Sequence, residues 1–371
     1  MNVTWKGVYP ALTTKFSING EVDIPSYLYN IKKQIESGVH GIVIGGSLGE
    51  ASTLMQKEKN QLLQAAVAEY KNQIPIIMNI AEQSTNGIVK AVNDAKMYNA
   101  DGLMMLPPMR YNADQRETLE FYKTAAETSD LPIMVYNNPY DYKIEITLEM
   151  FDKLAVYKNI QAVKESTRDV TNVTRMRNYF SDRFKILCGV DTLALEELLL
   201  GADGWVAGLV DAFPRETVLI YELVQRQRLE EARNLYRWFM PLLELDIHPK
   251  LVQYIKLAEV ATGMGTEDVR PPRLKLIGEE RANVIKIIDK AIKKHKIIDG
   301  LVIHRIGVLK PTDPIVLVAT WSEHRDNAFN ATREIMESLK SDAPFWKKEN
   351  TDKGFKWVKP SNELTENTNE T

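Results

Sequence analysis

The alternation of short apolar runs with longer amphipathic segments is the feature that most constrains the fold of this chain. Up to about residue 210, eight apolar runs occur, at 7–14, 40–46, 74–81, 101–108, 131–139, 159–166, 184–191 and 204–210. The segments between them, such as DIPSYLYNIKKQIESG and TNGIVKAVNDAKMYNA, repeat their apolar residues at helical spacing. Runs that are continuously apolar indicate strands buried on both faces, and therefore a parallel sheet.

Eight strand–helix units of this kind predict an α/β fold of the (β/α)8 barrel type, the TIM barrel, over residues 1–213. The structural alternative is a doubly wound open sheet. Such sheets usually carry a glycine-rich dinucleotide turn after an early strand, and the first apolar run here is followed by none. The pattern therefore favours the barrel.

The pattern changes twice after the last apolar run. Residues 214–295 have helical periodicity only, interrupted at Pro271 and Pro272, and predict a helical extension that covers or oligomerises the barrel. In residues 296–360, LVIHRIGVLK and PIVLVATWS predict two strands joined by a Lys-Pro-Thr-Asp turn, and DNAFNATREIMESLK predicts a helix. The polar residues 361–371 predict a disordered tail.

Composition excludes several classes of function. A net charge of −3 leaves no basic excess to neutralise nucleic-acid phosphates, so no nucleic-acid partner is predicted. The single cysteine, Cys188, excludes an internal disulfide framework and fits a reducing compartment. The five histidines form no metal-ligand spacing, and no apolar stretch approaches the roughly 20 residues that span a bilayer. The N-terminus lacks a signal-peptide pattern, so we expect a cytoplasmic protein without metal, cofactor or membrane segment.

Candidate reacting groups stand where the predicted strands end, because active sites of this fold lie at the carboxyl ends of the strands. Lys164 closes the sixth run, where burial disfavours its ammonium form; the alternative is a surface lysine. Tyr136 closes the fifth run; the alternative is a core tyrosine with a satisfied hydroxyl. The turn GGSLGE at 45–50 lets backbone N–H groups approach a carboxylate. Gly189 and Gly208 end the last two runs and leave space over the lysine.

Together these pieces resemble the N-acetylneuraminate lyase / dihydrodipicolinate synthase family of class I aldolase-type enzymes, over about residues 5–295, including VRPPRLKL. The resemblance implies a Schiff base between Lys164 and the keto carbon of a 2-oxo acid, with Tyr136 moving protons and Ser47 as its hydrogen-bonded relay. It also implies a homo-oligomer, a dimer or a tetramer. The implied substrate-binding residues are Gly46, Leu48, Arg110, Tyr111, Gly189, Val206, Ala207 and Gly208.

The physical requirement on Lys164 is a depressed pKa. A lysine must fall from about 10.4 toward roughly 7–8 to react as a free amine near neutral pH, which corresponds to roughly 3–5 kcal/mol of differential desolvation. An apolar barrel mouth can supply that, and the protonated imine then acts as an electron sink for chemistry at the neighbouring carbon.

Departures from the family pattern narrow the substrate. Lysine-pathway synthases resemble Tyr-Asn-x-Pro-x-Arg at the fifth strand, where the arginine grips a second substrate carboxylate; this chain has Asp141 in that place. Those synthases also carry two threonines in the second loop, where this chain has Ser47 and Leu48. Arg110, with Tyr111 beside it, falls at the position of their relay tyrosine, so Arg110 is a candidate for binding an anionic or hydroxylated substrate end.

The combination of GGSLGEASTL, LPPMRY, YNNPYDYKIE and VKESTRD most resembles a branch that deaminates 1-pyrroline-4-hydroxy-2-carboxylate in hydroxyproline degradation. The product would be 2-oxoglutarate semialdehyde with release of ammonia. The alternative is an aldolase or dehydratase that acts on a 2-keto-3-deoxy sugar acid.

Residues from about 301 to 360 resemble the C-terminal half of the large subunit of molybdopterin synthase, through IHRIGVLKPTD, HRDNAFNATREIMESLKSDAPFWKKE and KWVKP. That family's active-site lysines fall on Lys340 and Lys347, and its basic site also draws on His324 and Arg325. The resemblance implies a small sulfur-carrier protein as partner. The N-terminal half of that family is absent here, so an interaction module, a fusion remnant, an assembly artefact, a segment completed by another chain, and simple solvated helix-end lysines all remain as alternatives.

Overall fold

The computed structural model of the chain describes residues 3–294, 299–304, 316–322, 328–329, 332–333, 335–336, 347–351 and 354–358. It divides into two compact units, Met1–Ala291 and Ile292–Thr371, and each is described by itself.

The first unit contains eight parallel strands that form one sheet. The strands are β1 Gly7–Pro10, β2 Ile42–Ile44, β3 Ile76–Ile80, β4 Gly102–Met105, β5 Ile133–Asn137, β6 Ile160–Glu165, β7 Lys185–Cys188 and β8 Gly204–Ala207. Neighbours in sequence are neighbours in the sheet, and β1 pairs with β8. A parallel bridge between Ala11 and Val43 joins β1 to β2 and closes the barrel. The predicted TIM barrel and all eight predicted strands are confirmed.

Helices follow the strands as the periodicity predicts. They are α1 Ile24–Glu36, α2 Gln56–Tyr70, α3 Thr85–Met97, α4 Gln115–Thr128, the short α5 Pro139–Tyr142, α6 Leu148–Leu154, α7 Thr171–Phe180, α8 Ala194–Leu199 and α9 Pro214–Gln225. The start of α4 shows how side chains cap these helices. The Asp114 side chain accepts a hydrogen bond from the Glu117 amide, and the Glu117 side chain accepts one from the Asp114 amide. The eighth barrel helix is α9, which begins one residue past the segment predicted as the barrel.

The helical extension continues with α10 Leu229–Leu243, a 3-10 turn at Glu244–Ile247, α11 Leu251–Thr262 and α12 Gly278–Lys294. One face of α10 buries Tyr236, Phe239 and Leu242 in the core that also includes the barrel strands. The 3-10 turn packs against a second 3-10 turn, Asp191–Leu193, that follows β7. The extension therefore reaches the rim of the barrel where the strands have their carboxyl ends.

The second unit has two antiparallel strand pairs in its described part: β9 Asp299–His304 with β10 Val316–Trp321, and β11 Lys347–Thr351 with β12 Gly354–Val358. The first pair confirms the two predicted strands, and the second was not predicted. The described residues 328–329, 332–333 and 335–336 are helical and fall within the predicted helix. The predicted Lys-Pro-Thr-Asp turn and the predicted disordered tail lie outside the described residues.

Within the described parts of the chain, no helix combines the length and apolarity needed to cross a lipid bilayer.

Candidate active site

Lys164 and Tyr136 are brought together at the carboxyl ends of β6 and β5. The two residues are register partners in the parallel ladder, and the Lys164 Nζ atom lies 4.3 Å from the centroid of the Tyr136 ring. Each residue is only 7% exposed. Because Ile160, Ala162 and Val163 of the same strand are fully buried, the lysine stands at the border of the apolar core, as the sequence predicts.

Burial lowers the pKa of Lys164. Three carboxylate or phenol groups oppose that shift by attracting the ammonium form, and Asp246 has the largest opposing effect, followed by Tyr142 and Asp191. Of these, Asp246 belongs to the 3-10 turn of the helical extension, for which only a covering or oligomerising role is predicted from the sequence. The direction of the shift is the one an imine-forming amine requires.

The Tyr136 hydroxyl is held by its own loop. The Nδ2 atom of Asn138 donates to the Tyr136 oxygen at 3.2 Å and to the Asp141 Oδ2 atom at 2.7 Å. Asn138 also caps α5, because its Oδ1 atom accepts from the Asp141 amide at 3.0 Å. Burial raises the pKa of Tyr136 to about 12, so the phenol keeps its proton at neutral pH. Asp141 thus supports the residue that positions Tyr136.

The hydroxyl of Ser47 lies 2.5 Å from the hydroxyl of Tyr142. The family resemblance implies a hydrogen bond between Ser47 and Tyr136, whereas in the structure Ser47 pairs with Tyr142, whose ring packs edge-on against the Tyr136 ring at 5.5 Å. Tyr142 was not among the predicted site residues. Its signal is the Asn-Pro pair, which predicts a helical turn starting at Asn138, with Tyr142 one turn later on the same side.

The turn at 45–50 is fixed on both sides. Gly45 has a φ of +69°, a conformation that L side chains rarely adopt, and its carbonyl accepts from Asn79 Nδ2 at 2.9 Å. The Thr14 hydroxyl donates to the Gly49 carbonyl at 2.6 Å. Glu50, also at positive φ, is fully buried and accepts from Lys256 Nζ at 2.6 Å and from the Arg270 amide at 3.1 Å. Glu50 is therefore the anchor of this turn to the helical extension.

Two glycines leave room beside Lys164 and Asp246. A Cβ atom on Gly189 would lie 2.6 Å from Lys164 Cε and 2.1 Å from Ser166 Oγ. A Cβ atom on Gly208 would lie 2.0 Å from Asp246 Oδ1. Any larger residue at either position would displace these side chains, which explains the glycines at the ends of strands seven and eight.

The other predicted substrate-binding residues divide into two groups. Gly46, Leu48, Val206 and Ala207 are buried at the carboxyl ends of β2 and β8. Arg110 and Tyr111 have exposed side chains in the loop after β4, and no contact among the described residues joins either one to Lys164. Cys188 is fully buried and donates to the Val190 carbonyl, and burial raises the pKa of its thiol, so it is not an activated nucleophile.

A sequence model of the dihydrodipicolinate synthetase family matches residues 4–291. The chain belongs to this family. Its members are aldolase-type lyases that act on small molecules and are generally oligomeric, and a lysine Schiff base is general to them. The resemblance drawn from the strand ends is confirmed at family level.

The relatives are named as synthases. The chain is 28% identical over 288 residues to a 4-hydroxy-tetrahydrodipicolinate synthase of Exiguobacterium sibiricum, covering 77% of this chain and 96% of the relative. It is 30% identical to the enzyme of that name from Methanospirillum hungatei, covering 72% and 93%. The structure of dihydrodipicolinate synthase from Aquifex aeolicus superposes with a TM-score of 0.74 at 27% identity, covering 77% and 97% of the two chains.

A second sequence model, MoaE protein, matches residues 276–342 and agrees with the predicted resemblance of the C-terminal segment. The match begins two residues before α12 and ends before Lys347. His324, Arg325 and Lys340 lie outside the described residues, and Lys347 is the first residue of β11. The sulfur-carrier partner stays a prediction.

Proposed function

We propose that the barrel is a Schiff-base lyase in which Lys164 is the nucleophile, and that its substrate is 1-pyrroline-4-hydroxy-2-carboxylate. The observation that carries the proposal is the buried Lys164 amine against the Tyr136 ring, with its pKa lowered by burial. A free amine at the rim of an apolar core can attack an electrophilic carbon, and the nearby phenol, which keeps its proton, can act as an acid.

The substrate carboxylate would bind at the turn 45–50. Among the residues that the structure describes, no acceptor is found for the amides of Ser47 and Leu48, and the glycines before them allow close approach. Oriented backbone N–H groups suit an anion. With the carboxylate there, the carbon that carries the imine nitrogen would face Lys164 on the opposite side of the barrel mouth.

The reaction balances with one water released and two consumed. Lys164 Nζ attacks the ring imine carbon, and the ring nitrogen leaves as an amine, which opens the ring. Loss of a proton from the neighbouring carbon gives an enamine, and the 4-hydroxyl leaves as water with a proton from Tyr136. A proton then moves from the terminal carbon to the carbon beside the lysine imine, and tautomerisation of the resulting terminal enamine gives a terminal imine. One water hydrolyses that imine and releases ammonia, and a second releases the 2-oxo acid from Lys164.

Asp141 supports this substrate over that of the named relatives. The synthases of the lysine pathway carry an arginine at this position, which binds a second substrate carboxylate. This chain instead carries Asp141, which is hydrogen-bonded to Asn138. A carboxylate repels a dicarboxylic substrate and accepts a hydroxyl hydrogen bond. The alternative substrate, a 2-keto-3-deoxy sugar acid, has a keto group in place of the ring imine, but it would form the same kind of imine with Lys164 and it also carries hydroxyl groups.

A substrate panel separates the two. Purified protein should convert the hydroxylated pyrroline to 2-oxoglutarate semialdehyde with one equivalent of ammonia, both measured by coupled assay. A protein that yields no semialdehyde from the pyrroline but cleaves 2-keto-3-deoxy sugar acids would disprove the deaminase proposal and leave the aldolase. Covalent fixation of neither compound on borohydride reduction would disprove the Schiff-base proposal as well.

The pH dependence of imine formation follows from the Lys164 environment. Because the lowered pKa belongs to a base, the reactive free amine persists to lower pH than in an ordinary lysine and is lost as pH falls through the folded pKa. We expect the rate of pyruvate fixation by borohydride to reach half its maximum well below pH ~10.4, with Nα-acetyl-lysine as the reference amine. A midpoint equal to that of the reference would contradict a desolvated lysine.

A further inference from the structure

Asp246 extends the candidate active site beyond the barrel strands. It lies in the 3-10 turn Glu244–Ile247 of the helical extension, and this turn packs on the turn Asp191–Leu193 after β7. Its Oδ1 atom occupies the space that a side chain at Gly208 would fill, since a Cβ atom there would lie 2.0 Å away. The carboxylate is partly buried and is held over the carboxyl end of β8.

Asp191, the other carboxylate at this rim, already accepts hydrogen bonds from two backbone amides and one side chain. Its two oxygens accept from the Gly208 amide at 3.1 and 3.2 Å, and Oδ2 also accepts from the Leu209 amide at 2.8 Å. Its Oδ1 atom also accepts from Trp205 Nε1 at 2.9 Å. Asp191 therefore shapes the turn after β8 and has little capacity left for a ligand, which distinguishes it from Asp246.

The pKa of Asp246 depends on the charge of Lys164. Burial raises the pKa of Asp246 well above its usual range, repulsion by Asp191 adds to the rise, and attraction by Lys164 opposes it. A protonated imine on Lys164 is a cation, so it favours the ionised form of Asp246 whenever the imine is present. In the imine state the barrel mouth then presents an acceptor-only group to the rest of the substrate.

We propose that Asp246 is a specificity-determining residue whose carboxylate accepts a hydrogen bond from a hydroxyl group on the substrate beyond the imine carbon. The inference rests on the proposed function, because it places the imine on Lys164. A hydroxylated 2-oxo acid gains a bond to a charged acceptor, whereas a 2-oxo acid with a second carboxylate meets a like charge in a partly buried site. The helical extension thereby contributes to substrate choice.

The test compares 4-hydroxy-2-oxopentanoate, 2-oxopentanoate and 2-oxoglutarate in borohydride fixation to the full-length protein. All three compounds react with the same amine, so any change in the pKa of Lys164 cancels in the ratio of their half-saturating concentrations. We expect the wild type to favour the hydroxylated compound over 2-oxopentanoate by about tenfold or more, the usual worth of a hydrogen bond to a charged group. Asp246→Asn should reduce that preference at least fivefold and also reduce discrimination against 2-oxoglutarate.

Glu244→Gln is the matched control, since it removes an exposed carboxylate from the same turn and should keep the wild-type ratios. Asp246→Ser is the second variant, and if Asp246→Asn does not fold, the same loss of preference in Asp246→Ser supports the inference. Wild-type ratios in a folded Asp246 variant that still fixes the compounds would overturn it. If the wild type fixes none of them, the proposed function fails and this inference with it.

Discussion

Lys164→Ala is expected to abolish covalent fixation of 2-oxo acids by borohydride and to lower turnover of the substrate by at least about a thousandfold, because alanine has no amine with which to form the imine. Lys164 is the only lysine for which the described residues give a contact with the Tyr136 ring. The measurement is the mass of the intact protein after reduction, with the modified residue located by peptide mapping.

The matched control for this experiment is Lys185→Ala. Lys185 begins the neighbouring strand β7, at the opposite end of the barrel, where it pairs with Asp203. Lys185 is also at the end of a strand, but it lies away from the candidate active site. We therefore expect borohydride to fix pyruvate to the Lys185→Ala variant as it does to the wild type. An adduct that persists in Lys164→Ala at the wild-type level would show that a different amine forms the imine.

Lys256→Met is expected to destabilise the barrel unit by about 3–5 kcal/mol, since removing one partner of a buried ion pair leaves the other charge uncompensated. The Lys256 Nζ atom lies 2.6 Å from Glu50 Oε1, both side chains are fully buried, and the same ammonium donates to the Asp268 carbonyl. Without it, the partners of Glu50 among the described residues would be the Arg270 amide and the more distant Arg273 guanidinium, at 3.9 Å. Urea unfolding followed by tryptophan fluorescence measures the loss.

Lys250→Met provides the comparison, because Lys250 also pairs with a glutamate, Glu280, at 2.6 Å but at the surface. Exposed ion pairs are screened by solvent. The free energy of unfolding of Lys250→Met should therefore fall by only a small fraction of the loss seen for Lys256→Met. Equal losses of stability in the two variants would show that the buried pair contributes no more than the exposed one.

Because Glu50 ends the turn that presents Ser47, Lys256→Met should also weaken 2-oxo acid binding.

The strand ends show how far sequence reasoning reached into the site. Lys164 and Tyr136 were found because each closes a continuous apolar run, and parallel neighbouring strands place their carboxyl ends on one edge. The contact between them followed from strand order alone. The partner of Ser47 did not, since a hydroxyl selects its partner by distances of a few tenths of an ångström, and Tyr142 rather than Tyr136 lies within reach.

Asp246 and Glu50 mark the other boundary. Nothing in the local sequence of Asp246 or Glu50 predicts a neighbour 38 or 206 positions away, because these contacts depend on how the helical extension packs on the barrel rim. Because Asp246 is packed there, its pKa depends on the nearby Lys164. Because Glu50 is buried there, it can hold the turn 45–50 to the helical extension.

The barrel, the order of its strands and the two side chains at the ends of β5 and β6 can all be predicted from the amino-acid sequence. Those features depend on period and spacing, which are local and repeat along the chain. The hydroxyl that Ser47 contacts, the carboxylates around the Lys164 amine and the residues that hold the turn before Glu50 depend instead on the folded chain. These are contacts between residues far apart in the chain, and their energies depend on burial and distance, which no linear pattern records.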